Sequence, residues 1–111
     1  MNNQKPAFSE SVVEDFKLKY PHGLRIIEIY PEEDSVEPLK YLVKKPSKAL
    51  VYLLSSKEYE NDIQASSDAM IANCVLAGDL DILEQDASIF TELTSRIGDL
   101  MKGARSELKK V

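Results

Sequence analysis

Asp86 to Lys110 reads DASIFTELTSRIGDLMKGARSELKK, and the period of its apolar residues decides the fold class. Ile89, Phe90, Leu93, Ile97, Leu100, Met101, Ala104 and Leu108 recur at steps of three and four, the spacing that lines one stripe of an α-helix. Glu92, Arg96, Asp99, Lys102 and Glu107 lie between them. With Asp86 as N-cap, the pattern predicts a helix of roughly six turns at about 3.6 residues per turn. Its stripe is narrow, so the helix needs a partner along its length. Packing within the domain accounts for residues 89 to 101. Leu100, Met101, Ala104 and Leu108, toward the tail, are the candidate partner-binding residues. Gly98 and Gly103 each cost about 1 kcal/mol relative to alanine inside a helix. They mark close approach to a neighbour or, near Gly103, a point where the helix yields.

Upstream, Asp62 to Ala77, DIQASSDAMIANCVLA, places Ile63, Ser66, Met70, Cys74 and Ala77 on one helical face. Gly78 is positioned to end that helix in a left-handed conformation. Asp79 to Gln85 then reads as an acidic loop pinned by Leu80, Ile82 and Leu83. Lys48 to Tyr59 is compatible with a strand on its VYLL core, but its length, Ala49 and the Ser47 cap favour a helix. Before it, LRIIEIY (Leu24 to Tyr30) and LKYLVK (Leu39 to Lys44) change to strand composition and period. The acidic turn PEEDSVEP joins them, so they predict an antiparallel hairpin. One face of so small a hairpin must be covered by helices. Ser11-Val-Val-Glu14 has the form of a capping box. It predicts a first helix starting near residues 9 to 11, with Val12, Val13, Phe16 and Tyr20 on its apolar face and Pro21-His22-Gly23 ending it.

The expected architecture is therefore α+β and mostly α: an N-terminal helix, a short antiparallel β-hairpin, then three helices with a long amphipathic C-terminal helix. Residues 1–111 form one domain, with a disordered arm over residues 1–8. Apolar residues make up 43% and charged residues 30%, a globular composition. No apolar run approaches the ~20 residues of a membrane span. MNNQKPAFSE lacks the basic and apolar regions of a secretory signal, which predicts a cytoplasmic protein without membrane partners.

Charge is unevenly spread along the chain, whose net value is −5. Residues 57 to 99 set ten acids against Lys57 and Arg96, whereas 102 to 111 set Lys102, Arg105, Lys109 and Lys110 against Glu107. An acidic body repels a phosphate backbone, so nucleic acid is not expected as a partner.

Candidate chemistry is sparse. In DLDILEQD, an EF-hand counted from Asp79 would need an oxygen ligand at Leu83, glycine at Glu84 and a carboxylate at Phe90. The spacing fails, and no metal or other cofactor is expected. Cys74 lies on an apolar helix face and nothing local lowers its pKa, so it reads as packing rather than as a nucleophile for His22. No catalytic residue is proposed, and the chain is not expected to be an enzyme.

Three features in order, YLVKKPS with its Lys45-Pro46 step, the Asn73-Cys74 and Gly78-Asp79 pairs of NCVLAGD, and the capped DASIFTELTSRIGDLM, resemble the small tail-assembly chaperones of tailed phages and prophages. The resemblance spans Leu24 to Leu108 and leaves out the first helix. It implies a non-enzymatic protein of the bacterial host cytoplasm that coats the aggregation-prone helical tape-measure protein. Its partner would be an amphipathic helical client, with a homo-oligomer as a further expectation. The competing expectation is a small acidic phage or mobile-element regulator that binds and inhibits a host protein through residues 57 to 99.

Overall fold

A computed structural model describes residues 6–111. Helix α1 (Glu10–Lys19) precedes a hairpin of β1 (Leu24–Ile29) and β2 (Leu39–Lys44). Then come α2 (Lys48–Leu54), α3 (Ile63–Cys74), β3 (Val75–Ala77), α4 (Asp81–Gln85) and α5 (Ala87–Leu100). The α+β, mostly helical class and the hairpin agree with the sequence reading.

The sheet is antiparallel with order β1-β2-β3. β1 and β2 pair without irregularity from Leu24↔Lys44 to Ile29↔Leu39. Leu42 pairs with Ala77 and Val43 with Val75, so Leu76 is an extra residue opposite the central strand. Such a bulge lets neighbouring side chains point to one side. Here Leu76 and Ala77 both join Leu42 beneath α1.

Two cores lie on opposite faces of β2. The larger holds Ile29, Tyr41, Val43, Leu50, Cys74, Val75, Leu83, Ile89, Leu93 and Ile97. Its main contribution from one helix is the α5 stripe of Ile89, Leu93 and Ile97. The smaller holds Leu42, Leu76 and Ala77, covered by Phe8, Val12, Val13, Phe16, Tyr20 and Leu24. α1 has no buried residue of its own. Its end is fastened by the Tyr20 ring, which stacks with Phe16 at 6.3 Å and lies 4.8 Å from the Lys44 ammonium.

Local chemistry starts most helices where the sequence indicated. The Ser47 hydroxyl accepts from Leu50 N at 3.1 Å, and Asp62 accepts from Ala65 N at 2.9 Å. Asp86 accepts from Ser88 N at 3.0 Å and Ile89 N at 3.3 Å. At α1 the cap is Ser9, accepting from Val12 N, rather than the Ser11 of the expected box.

Several expectations are corrected. The C-terminal helix ends at Leu100, not near Lys110: Met101 and Lys102 form a turn and residues 103–111 are irregular and exposed. Gly103 disfavours continuation, and a short helical extension without packing is marginal in water. α3 ends at Cys74 and passes into β3 without a loop. Gly78, at φ 134°, therefore terminates a strand rather than a helix. Residues 48–59 do begin as a helix, but it stops at Leu54. The acidic loop contains the short α4, and Leu83 pins it into the core as expected. Residues 1–5 of the expected N-terminal arm lie outside the described residues. Pro6 accepts from Gly78 N at 3.3 Å and Phe8 packs on the smaller core.

Candidate interaction surface

The four residues expected to share a partner-binding stripe do not share one. Leu100 packs against the larger core. Met101 is the exposed C-cap of α5, and Ala104 and Leu108 lie on the irregular segment beyond it. The helix that would align them stops at Leu100, short of Ala104 and Leu108.

A different apolar surface lies between α1 and the outer strand. α1 packs over Leu42, Leu76 and Ala77 of β2 and β3, with Leu24 of β1 at the margin of that cluster. Ile26, on that side of β1, is left 51% exposed. Two adjoining clefts meet there and share Val13, Lys17 and Ile26. One, of about 490 Å³, extends toward Phe8 and Glu14; the other, of about 270 Å³, extends to Leu24 and Leu42. The lining is apolar with charged rims, the form of surface that accepts the apolar stripe of a helix. Its sequence signal was the second face of β1, where Leu24 and Ile26 alternate with Ile27 and Ile29. That β2 is the central strand of three was not legible, because β3 was hidden in a helical pattern. Val51, Tyr52 and Leu53 on α2 are further exposed apolar residues.

The residues weighed for chemistry are held apart. Cys74 is fully buried in the larger core, whereas His22 is exposed in the α1–β1 turn. Burial pushes the Cys74 thiol up in pKa, against a smaller opposing effect of the Lys44 charge. Among the described residues, no three His, Cys, Asp or Glu side chains group as metal ligands. Asp79 instead accepts from Asp81 N at 3.0 Å and Ile82 N at 3.4 Å, and Asp86 serves as a cap. Ser88 and the Ile89 amide hold the Asp86 carboxyl below its ordinary pKa. Among the described residues, no helix is long and apolar enough to cross a membrane.

No family model matches the chain, and no curated protein or solved structure matches it either.

Proposed function

We propose that this chain is a non-enzymatic, chaperone-like binding protein of the phage tail-assembly type, and that it holds an amphipathic helix of a tape-measure client in the groove between α1 and β1. The observation that carries this proposal is Ile26, left 51% exposed in a cleft that it lines with Val13, Leu24 and Leu42. A groove of this kind recognises a helix by residues at i, i+3, i+4 and i+7. Charged rims at Glu14, Lys17 and Arg25 keep the unoccupied groove hydrated.

Co-expression with a helical segment of a phage tape-measure protein provides the test, read as the soluble fraction of that segment. The parent chain should raise it, and Ile26→Asp should abolish the gain while melting normally. An unchanged gain with Ile26→Asp, but a lost one with Leu108→Asp, would move the client site to the C-terminal segment. No gain from the parent chain would reject the chaperone proposal.

The acidic-regulator proposal has less support. Of the carboxylates between residues 57 and 99, Asp62, Asp79 and Asp86 accept from backbone amides, and Glu92 and Asp99 pair with Arg96 at 3.0 and 3.6 Å. These five of the ten carboxylates already serve as helix or turn acceptors or as partners of Arg96, which leaves fewer of them free for a partner.

A further inference from the structure

Two segments of opposite charge go unanswered among the described residues. In the β1–β2 loop, no ion pair among the described residues reaches the carboxylates of Glu32, Glu33, Asp34 or Glu37. Beyond α5, none reaches Lys102, Lys109 or Lys110, and Arg105 meets only its neighbour Glu107 at 4.0 Å. Exposed apolar side chains accompany both segments. Tyr30 is 53% and Val36 89% exposed at the loop, while Leu108 and Val111 are fully exposed on the C-terminal segment.

The loop also forms one wall of a cleft of about 660 Å³, whose other wall is α5. Ile29, Tyr30, Pro31 and Ile89 contribute its apolar lining, and Glu28, Glu32, Glu33 and Glu92 outnumber Arg96 on its charged lining. Arg96 is already paired with Glu92 and Asp99. The cleft begins beside the first turn of α5, and the basic segment leaves from the last. At about 1.5 Å per residue, Met101 lies roughly 18 Å along the axis from Ile89. Residues 101–111 are exposed throughout, and the radius of gyration is 15.4 Å, against about 13 Å for a compact chain of this length. The longest axis is 50 Å against 34 and 33 Å for the others.

We infer that residues 102–111 of one copy dock in the cleft between the β1–β2 loop and α5 of a second copy. Cations at Lys102, Lys109 and Lys110 meet the loop carboxylates, and Leu108 and Val111 cover Tyr30 and the apolar lining. The exchange closes as a two-fold dimer if each copy's segment sits in the other's cleft, and as a larger ring or a chain if it passes from copy to copy. Client binding at the α1–β1 groove is a separate property, and the two can fail independently.

Light scattering and sedimentation of the full chain over a range of concentrations test this. At low salt the mean mass should rise above the monomer with concentration. Near 1 M salt it should fall back, because screening shortens to about 3 Å. Lys109→Glu/Lys110→Glu and Glu32→Lys/Glu33→Lys change exposed residues and should melt like the parent. Each variant alone should associate at least about tenfold more weakly, since like charges then meet. Mixed together they should reassociate, because each segment again finds a cleft of opposite charge. A parent chain that stays monomeric at every concentration would overturn the inference, including the case in which the segment folds onto its own cleft. So would a mixture that fails to reassociate, or association that neither variant weakens, which would place the interface elsewhere, such as the outer edge of β1.

Discussion

The Tyr41 hydroxyl donates to the backbone carbonyl of Asp79 at 2.6 Å, tying the central strand to the turn that follows β3. The ring is fully buried, and burial, with the Asp79 charge second, pushes the phenol from 10.0 up to about 12. Tyr41→Phe should cost about 1 kcal/mol, read as a lower urea midpoint with an unchanged slope. The native phenol holds its proton more tightly than the unfolded one, so this stabilisation is complete below about pH 10 and is lost as pH rises through about 12. Urea midpoints across that window should fall faster for the parent than for Tyr41→Phe.

Three glycines should respond differently to alanine. Gly78 has φ 134°, and an added Cβ would sit 2.9 Å from Tyr41 Cε1 and 3.0 Å from the Lys40 carbonyl oxygen. Backbone strain alone costs about 1–3 kcal/mol, and displacing a buried ring adds to it. Gly23, at φ 82°, would meet only the flexible Lys45 side chain at 3.4 Å, so its variant should lose less. Gly98→Ala should gain about 0.5–1 kcal/mol, because the helix is regular there and Met70 Cε stands 4.0 Å away. Urea titrations of the three variants should rank them in that order.

Along α5, the depth of each side chain should set the cost of its removal. Leu93 is completely buried, and Leu93→Ala should cost about 2–5 kcal/mol. Phe90 is half-buried at the margin of the core and should cost less. Leu108→Asp should melt within about 0.5 kcal/mol of the parent, as expected of an exposed site. Equal destabilisation by Leu93→Ala and Leu108→Asp would contradict the helix end at Leu100.

Cys74 should label slowly in the native state. The thiol is buried and its pKa raised, so both access and thiolate fraction are low at neutral pH. Denaturant should accelerate the reaction in parallel with unfolding. Rapid native labelling would mean that the junction of α3 and β3 opens readily.

Asp86 predicts part of the acid response. Its carboxyl pKa is lowered from 3.8, first by the Ser88 hydroxyl and then by the Ile89 amide. The sign is that of a depressed carboxylate: the contribution is complete above about pH 4 and is lost as pH falls through the lower native value. Asp86→Asn keeps an acceptor for the amides but removes the titration. Its urea midpoint should therefore decline less than the parent's on acidification.

Features governed by neighbouring residues were legible in the sequence. Ser47, Asp62 and Asp86 announce their helices because a cap needs only the next two or three amides. The hairpin was legible from strand composition around a prolyl acidic turn. Val75 to Ala77 was not, since those residues continue the apolar spacing of α3 and become a strand only by pairing with Leu42 and Val43. The end of α5 was missed for the opposite reason. Met101, Ala104 and Leu108 keep a helical period, but no surface packs against them, and Gly103 was the one local sign of termination. The groove beside Ile26 depends on where α1 lies across the sheet, a distance relation that periodicity does not encode.

The passage of α3 into β3 without a linker couples two geometries that loops ordinarily keep separate. Helical phase and strand alignment share one continuous backbone from Ile63 to Ala77. Deleting a residue within α3 turns its start by about 100° relative to its end. The alternative is to pull β3 one position along β2, which reverses the faces its side chains occupy. The first would turn α3 side chains such as Met70 away from the larger core, and the second would carry Val75 and Leu76 off the cores they occupy. Folding should therefore tolerate length variation in the β1–β2 loop and beyond Leu100, and exclude it between residues 63 and 77.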